Sequence, residues 1–483
     1  MPFKPVVLWT DALIFLLVAA VCALAWQMRR REHLREPWRK VARSPMGMVS
    51  AVVLAVFVAI GLLDSLHFRP RLPGSEANFA VDTLSVLDVM LAHLRTRPET
   101  TYSAPLATRL YARETVELPD GRQARIFPRL KHGGAHLTDP EAEWAVDVAR
   151  RTIVGLALAA LAWNLLTGVA VTWRAARLGQ SWHACWNAIW RGETEMPWRA
   201  MLIAAGFILL VAAPMLVLSA KYHVLGTDKV GQDVLYLSLK SIRTGLVIGT
   251  LTTLVMLPLA LLLGIMAGYF RGWIDDVIQY LYTTLNSIPS VLLIAATILV
   301  MQVYLETHPG LFETVQQRQD LRLLFLCLVL GVTSWTGLCR LLRGETLKLR
   351  EMEYIQAARA FGVPHWRIIT RHILPNVMHI VLIAVVMDFS GLVLAEAVLS
   401  YVGVGVDPTT ISFGTMINAA RLEMAREPMV WWSLASAFVF MLLLVLSANL
   451  FADAVRDAFD PRVVVRGGLP ALSRPRRRPA VAT

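Results

Sequence analysis

Long apolar runs separated by charged stretches dominate the pattern of this 483-residue chain. A bilayer core of about 30 Å needs about 20 helical residues, because backbone N–H and C=O groups in lipid must bond within their own segment. Nine runs meet this requirement: residues 8–26, 46–63, 153–172, 201–219, 245–269, 281–304, 322–340, 377–399 and 430–452. The sixth is the weakest, since Asn286, Ser287 and Pro289 interrupt its first half. The pattern predicts an all-α polytopic membrane protein.

Composition supports a membrane protein and argues against several other classes. Hydrophobic residues make up 56% of the chain and charged residues 17%, which is too little polar surface for a soluble protein of this length. The formal net charge of +12 does not indicate nucleic acid, because the basic residues cluster beside the apolar runs. The four cysteines form no CxxC pair, so neither a disulfide framework nor a zinc site is expected.

The distribution of arginines predicts the orientation in the membrane. Short loops rich in Lys and Arg stay in the cytoplasm. Threading nine spans places the basic segments 29–43, 173–200, 340–371 and 474–478 on one side. The N-terminus and residues 64–150, 220–243, 305–320 and 400–429 are then outside, and the C-terminus is cytoplasmic. Residues 23–25 resemble a signal-peptide cleavage site, but Arg29, Arg30 and Arg31 follow the first run, which favours a retained helix.

Residues 64–150 form the one loop large enough for a small folded unit. Leucines and Met90 at helical spacing predict an amphipathic helix over residues 81–95. Residues 110–118 and 122–127 around Pro119-Asp120-Gly121 predict a β-hairpin. Asp139 as N-cap, with Pro140 after it, starts a helix that leads into the third span. We expect an α+β insertion that serves as an interaction platform or as a plain insertion, while a role in binding the substrate stays open.

Between the seventh and eighth runs lies an amphipathic stretch that does not span the membrane. Met352 to Phe361 favours a helix, and Gly362 is placed as its C-terminal cap. Val363 and Pro364 then turn the chain into a second short helix that we expect to end near Pro375. This segment, residues 352–375, is predicted to form a compact knob at the membrane face.

The knob closely resembles the EAA loop of binding-protein-dependent ABC importer permeases, in particular the C-type subunit of the dipeptide, oligopeptide and nickel group. Members of that group carry EYxxAARAxG followed by RHILPN. The matching residues here are Glu353, Tyr354, Ala357, Ala358, Arg359, Ala360, Gly362, Arg371, His372, Ile373, Leu374, Pro375 and Asn376. Gln356 stands where the EAA triplet has its acidic residue, and Glu353 could supply a charge nearby.

Other segments resemble the same family in the family's own order. They are Leu225-Gly-Thr-Asp-Lys-Val-Gly-Gln-Asp-Val234, Gly268-Tyr-Phe-Arg-Gly-Trp-Ile-Asp275, Ser287-Ile-Pro289, Leu399-Ser-Tyr-Val-Gly-Val-Gly405 and Arg456-Asp-Ala-Phe-Asp-Pro-Arg462. The resemblance covers residues 201–462 and implies a six-helix type I permease core, with the coupling loop at residues 344–376. Preceding it are residues 1–63 with two extra spans, the insertion 64–150, and residues 151–200 with a third extra span. Residues 463–483 form a basic tail that we expect to be disordered and cytoplasmic.

The resemblance also implies partner proteins and a location in the bacterial inner membrane. A second, homologous permease, a cytoplasmic ABC ATPase that uses ATP and Mg, an external substrate-binding protein and membrane lipid are expected, with no nucleic acid. No cofactor, metal or catalytic residue is expected in this chain, which has no GxxxxGK[ST], HExxH or GxSxG motif. The solute stays open among dipeptides, oligopeptides, nickel complexes and related molecules.

Two groups of residues are candidates for function. The coupling group is Glu353, Tyr354, Gln356, Ala357, Ala358, Arg359, Gly362, Arg371 and Pro375. The binding-protein or gate group is Gly226, Thr227, Asp228, Gly231, Asp233, Glu396, Gly403 and Gly405. For the glycines and aspartates of residues 226–233, turn building is the alternative. For Glu396 and Asp388, intramembrane carboxylates, the alternative to a gate is a satisfied structural contact, and Asp11 is expected at the polar interface.

Two other classes of protein remain as alternatives. An ion-coupled secondary transporter needs several ionisable groups around a midplane site and typically an internal repeat. A membrane-embedded enzyme needs a nucleophile, base or metal ligands clustered at one depth. The later spans show few ionisable groups and no evident repeat or cluster, which favours the importer permease.

Overall fold

The computed structural model describes residues 3–29, 32–71, 79–81, 83–117, 123–308, 310 and 314–459. The helices are α1 (Trp9–Arg29), α2 (Glu32–Arg43), α3 (Pro45–Asp64), α4 (Val86–Met90), α5 (Ala92–Arg95), α6 (Pro140–Leu178), α7 (Trp182–Arg191), α8 (Trp198–Ser219), α9 (Val234–Phe270), α10 (Trp273–Ser287), α11 (Ser290–Thr307), α12 (Val315–Arg350), α13 (Glu353–Ala360), α14 (His365–Ile368), α15 (Leu374–Val402), α16 (Phe413–Glu423) and α17 (Trp432–Phe459). The strands are β1 (Phe3–Val6), β2 (His67–Pro70), β3 (Leu84–Ser85), β4 (Glu114–Glu117) and β5 (Gln123–Ile126). The predicted helical, polytopic fold is confirmed.

Eight helical segments of the described chain are long and apolar enough to cross a membrane: α3, α6, α8, α9, α11, α12, α14 continued through α15, and α17. They correspond to eight of the nine predicted runs. Helix α1 corresponds to the remaining run and is a shorter apolar helix over Trp9–Ala23. The extra helices pack directly on the rest of the chain, since α3 contacts α8, α9 and α17, and α6 runs along α8.

The sixth predicted span, residues 281–304, is wrong in its first half. Helix α10 ends at Ser287, Ile288 is extended with ψ 130°, and α11 starts at Ser290. The residue before a proline is disfavoured in helical geometry, so Pro289 separates the two helices. The membrane-spanning part is therefore Ser290–Thr307.

The insertion departs from prediction in one place. The expected helix over residues 81–95 is instead strand β3 followed by α4 and α5, because Ser85 and Asp88 form a capping box that starts the helix at Val86. The hairpin is confirmed as the antiparallel pair β4–β5, with its turn outside the described residues. Asp139 caps α6 as predicted. The tail 463–483 also lies outside the described residues, as do Asp460, Pro461 and Arg462 of the closing motif.

The two ends of the helix bundle gather the loops in the groups that the charge rule predicts. Strand β1 pairs antiparallel with β2, which brings residues 3–6 beside the insertion. We call this the insertion end, with the described residues of 65–139 together with residues 220–233 and 403–431. At the opposite, knob end, Arg39 of α2 pairs with Glu195, and Trp38 contacts Phe459 of α17.

Helices α9 and α12 form the centre of the bundle. A Cβ on Gly264 of α9 would lie 2.8 Å from the carbonyl oxygen of Cys339 on α12, and one on Gly268 would lie 2.7 Å from that of Arg343. Small residues permit such close backbone contact, which supplies packing energy that the hydrophobic effect cannot supply within lipid. The Gly264 and Gly268 spacing therefore marks a packing face between α9 and α12. This face lies in the half of the bundle nearest the knob.

Candidate functional site: the knob and the insertion-end loop

The knob begins as the sequence predicts. Helix α13 follows Met352, and Gly362 behind it has φ +74°. A Cβ on Gly362 would meet no atom within 4 Å, so glycine is favoured there by backbone conformation and not by lack of space. The N–H of Val363 donates to the carbonyl of Ala358 at 3.1 Å, which closes the turn, and Pro364 opens α14.

The second short helix does not end near Pro375, and that prediction is wrong. Helix α14 continues through a five-residue π-helical segment, Ile369–Ile373, directly into α15. The N–H of Leu374 donates to the carbonyl of Ile369, five residues before it. Pro375 is the second residue of α15, directly after the π-helical segment, and it has no N–H to donate to the preceding turn. The knob and the span α15 are therefore one continuous piece of chain.

The inner face of the knob is fixed to the bundle. Ile355, Ile368 and Ile373 are completely buried in one apolar cluster with residues of α9, α10 and α12. The hydroxyl of Tyr269 on α9 lies 2.7 Å from Nδ1 of His365. These contacts attach the knob firmly to the helices of the bundle.

The outer face of the knob has large apolar side chains in the open. Phe361 is 87% exposed and Trp366 is 74% exposed. Among the predicted coupling residues, those that are exposed are Glu353, Tyr354, Gln356, Ala357, Arg359, Gly362, Arg371 and Pro375, and Ala358 is half-buried. Exposed aromatic residues on a rigid platform are typical of a protein-binding surface. Prediction from the motif missed Phe361 and Trp366, although two bulky apolar residues in a segment too polar to span were a usable signal.

The charge on the knob is predominantly positive. Residues 350–371 contain four arginines and two glutamates. Glu351 pairs at 3.3 Å with Arg271, which follows α9, whereas Arg359 faces the ring of Tyr269 at 5.9 Å. A partner surface with acidic groups around an apolar cleft would match this pattern.

The insertion-end loop, residues 226–233, differs from the knob. Its motif residues form hydrogen bonds within the chain, whereas those of the knob are mostly exposed. The buried hydroxyl of Thr227 accepts from the N–H of Ser103 at 2.7 Å and donates to the carbonyl of Thr101 at 2.9 Å. The N–H of Glu99 donates to the carbonyl of Gly231, and a Cβ on Gly231 would lie 1.9 Å from the carbonyl oxygen of Glu99.

The remaining residues of this loop support its turns. Asp228 accepts from the N–H groups of Val230 and Gln232, and it is half-buried. Asp233 caps α9, and Gly226 is buried against the insertion and Trp432. The turn-building alternative therefore describes the contacts of these residues.

A buried charged cluster joins the insertion to this loop. Nδ1 of His223 lies 2.7 Å from Asp233, and Nε2 lies 3.4 Å from Glu99. Glu99 also accepts from the backbone N–H groups of residues 131–133. Burial alone would lower the pKa of His223, but the two carboxylates outweigh it and raise that pKa to about 9. Glu99 and His223 are far apart in sequence, which is why the pattern of residues did not reveal their contact.

The buried carboxylate of Glu396 is hydrogen-bonded within the protein. Its carboxylate accepts from the hydroxyl of Ser400 at 2.7 Å and from that of Ser412, the N-cap of α16, at 2.9 Å. Gly403 ends α15 with φ +87°, and Gly405 packs on Ser400. These contacts fix the end of α15 to α16. Asp388, half-buried on α15, has no hydrogen-bond partner among the residues that the structure describes.

Asp11, which was expected at the polar interface of the membrane, lies inside the protein in the first turn of α1. It is fully buried and bonds to His67 at 2.8 Å and to Arg243 of α9 at 2.6 Å. The neighbouring Thr10 donates to Asp320 of α12. The carboxylate near the start of α1 thus pairs with a cation of α9 that the sequence pattern could not assign to it.

Comparison with known proteins places this geometry in a family. The model of the binding-protein-dependent transport system inner membrane component matches residues 260–465. The oligopeptide transport system permease protein OppC of Mycobacterium tuberculosis (strain H37Rv) is 34% identical over 239 residues, which cover 50% of this chain and 76% of that protein. The glutathione transport system permease protein GsiD of Pectobacterium atrosepticum is 32% identical over 243 residues, which cover 50% of this chain and 73% of that protein.

A chain of the MetNI methionine ABC transporter, solved in inward facing conformations, aligns with 47% of this chain and 98% of its own length, at 16% identity and a TM-score of 0.36. That likeness is too distant to locate individual helices. The matched segment begins in α9 and contains the whole knob, while α1 to α8 and the insertion precede it. The chain belongs to the family of binding-protein-dependent transport system inner membrane components.

Proposed function

We propose that this chain forms half of the solute pathway of an ATP-driven importer for peptides or related small solutes. In this proposal a second, homologous permease forms the other half. A separate ABC ATPase binds the knob, and an external binding protein delivers solute at the insertion end. The observation that carries the proposal is the knob itself, whose inner face packs on α9, α10 and α12 and whose outer face exposes Phe361 and Trp366.

The knob is suited to transmit movement. Because α14 passes into α15 without a break, a displacement of the outer face moves α15, and the buried Ile355 and Ile368 transmit it to α9 and α12. Rigid-body movement between two packed arrangements is a common means of switching a transporter. ATP and Mg would be used by the partner ATPase, and the coupling residues Glu353 to Pro375 would form its docking surface.

The solute class is inferred from the relatives. OppC and GsiD are named for the transport of oligopeptides and of glutathione, both of which are peptides. We therefore propose a short peptide as solute. Residues Gly226 to Asp233, with Glu396, Gly403 and Gly405, would hold the shape of the outer mouth. Of the two aspartates in residues 226–233, Asp228 is half-buried and Asp233 is buried, so Asp228 is the one that a binding protein could reach.

The proposed location is the bacterial inner membrane with the knob in the cytoplasm. The positive-inside rule supports this orientation, since the arginines cluster in α2, in residues 173–200 and in the knob. The pairing of β1 with β2 supports a location of the N-terminus on the same side as the insertion, which this proposal assigns to the outside.

Proteoliposomes test the energy source. The complete importer would be reconstituted with the binding protein and a short peptide on the insertion side and ATP on the knob side. We expect uptake to stop without ATP and to persist with a proton uncoupler. Uptake that continues without ATP but stops with the uncoupler would instead identify an ion-coupled secondary transporter.

Substitution of Gly362 tests the role of the knob in the same vesicles. Valine at φ +74° is strained by roughly 1–3 kcal/mol, so Gly362→Val should distort the turn and uncouple ATP hydrolysis from uptake. Gly168→Val in α6 is the matched control, because a Cβ there also meets nothing within 4 Å but the backbone is helical. Equal coupled transport in the two variants would contradict the proposal.

A further inference from the structure

An apolar groove lies where the extra helices meet α8. It has a volume of about 470 Å³, and residues of α3, α6 and α8 line it, among them Val52, Leu166, Val169, Trp173, Trp198 and Met201. Val52 is two turns from the start of α3, and Trp198 is the first residue of α8. The groove therefore lies in the half of the membrane nearest the knob end.

Aromatic residues and arginines surround the knob-end limit of this groove. The rings of Trp173 and Trp198 are 6.2 Å apart, and the guanidinium of Arg177 lies 4.0 Å from the ring of Trp173. Arg174 and Arg199 are the sequence neighbours of these two tryptophans. Tryptophan and arginine together at the end of a span are typical of the lipid headgroup region.

Two hydrogen-bond donors in this corner have no acceptor. Nε of Arg174 and the indole Nε1 of Trp190 on α7 are buried, and neither has a hydrogen-bond partner within the described chain. Trp190 packs against Trp163 of α6 and Trp186 of α7, and its own carbonyl accepts from Arg199. Buried donors without partners are uncommon in native proteins, and here both lack an acceptor.

Glu195, an acidic residue between α7 and α8, is already engaged with α2. Glu195 accepts from Arg39 at 2.9 Å and lies 3.4 Å from Arg43, both on α2. Arg174 and Arg177 have no carboxylate partner within the described residues. The corner thus combines an apolar groove with unneutralised cations, and an amphiphile with an anionic head matches both.

We propose that this groove binds an anionic phospholipid, with one acyl chain between α3, α6 and α8 and the phosphate at Arg174 and Arg177. The lipid joins the added helices to α8, the helix beside which α6 packs. The site depends on the membrane placement of these helices and not on which solute is transported. Its failure would therefore leave the proposed function unaffected.

Native mass spectrometry of the purified full chain tests this site. Dioleoyl phosphatidylglycerol and dioleoyl phosphatidylcholine, which share their acyl chains, would be added in equal amounts. We expect the anionic lipid to be retained about tenfold more than the zwitterionic one, since each basic group near a lipid phosphate contributes a modest attraction. The double variant Arg174→Gln, Arg177→Gln should abolish that preference. Arg340→Gln, which removes an exposed arginine in the knob-end half of α12, should leave it unchanged.

A second variant examines the groove independently of charge. Ala205 of α8 lines the groove, and Ala205→Phe should fill it and reduce the retention of both lipids about tenfold. Equal retention of the two lipids by the original chain would overturn the proposal, as would a preference that survives the arginine double variant. Unchanged lipid retention by Ala205→Phe would also overturn the proposal. Crosslinking of Ala205→Cys to a co-purified protein helix would show that a protein and not a lipid occupies the groove.

Discussion

The knob and the insertion-end loop were both identified by family motifs, yet the structure gives them opposite surroundings. Phe361 and Trp366 of the knob extend into the open, whereas Thr227 and Asp233 of the loop are buried. The loop bonds to Glu99, Thr101 and Ser103, all of which belong to the insertion. A motif thus indicates that residues are constrained, while the structure shows whether the contact lies inside or outside the chain.

This difference has a physical origin. A surface that must bind and release another protein keeps its apolar groups exposed on a rigid support. A loop that joins two parts of one chain instead buries its polar groups, and burial requires each of them to find a partner. Changes in the loop should therefore affect local stability, and changes in the outer face of the knob should affect association.

Removal of Glu99 should have the largest effect. Glu99→Ala leaves three backbone N–H groups and His223 without this acceptor, and the loss of one partner from a buried charged cluster costs about 3–5 kcal/mol. Hydrogen exchange should show the same loss of protection at residues 99–103 and 131–134. Glu141→Ala is the control, because its pair with Arg109 is exposed and should change protection by about 0.5 kcal/mol or less. Unchanged protection in Glu99→Ala would remove the contrast between the two regions.

The pH dependence of this junction should be the next largest effect. The pKa of His223 is raised from 6.5 to about 9, so the stability it contributes is complete below pH 6.5 and is lost as the pH rises through 9. Burial would raise the pKa of Glu99, but His223 and the backbone N–H groups lower it from 4.5 to about 2. The contribution of Glu99 is therefore complete above pH 4.5 and is lost as the pH falls through 2.

Exchange measured at pH 6 and at pH 9.5, corrected for intrinsic rates, checks this dependence. The free energy of local opening should fall by on the order of 3 kcal/mol between the two pH values. In His223→Gln the fall should be absent, since glutamine does not titrate. A junction that opens equally at both pH values would show that His223 is not held as a cation between the two carboxylates.

The effect on association should follow from Phe361→Asp. A charge in place of an 87% exposed aromatic ring on the knob should weaken binding of the ATPase by about 2 kcal/mol, or roughly thirtyfold, without a change in exchange at residues 99–103. Phe361→Leu keeps the apolar surface and should retain most of the affinity. Titration of the ATPase onto the reconstituted permease checks both variants. Binding by Phe361→Asp that equals the original would mean that the outer face is not the docking surface.

The membrane fold was predictable because long apolar runs have few structural solutions, and the Asp139 cap and the β-hairpin followed from local chemistry. The interruption at Pro289 was visible in the sequence, but the start of the membrane-spanning helix at Ser290 was not. The continuation of α14 into α15 was missed because a π-helical segment has no simple sequence pattern. The bonds of Asp11 to Arg243 and of Glu99 to His223 join residues more than a hundred positions apart, so only the folded chain could reveal them.

The smallest expected effect comes from the hydroxyl of Thr227. Thr227→Val keeps the shape but leaves the N–H of Ser103 and the carbonyl of Thr101 unbonded in a buried place, at a cost of about 1–3 kcal/mol. Thr227→Ser keeps the hydroxyl and should lose less protection in hydrogen exchange at residues 101–103. Since Thr227 lies at the opposite end of the bundle from the knob, neither variant should alter ATPase binding. A loss of ATPase binding in Thr227→Val, with protection intact, would mean that the two regions are coupled and that the contrast between inner and outer contacts is incomplete.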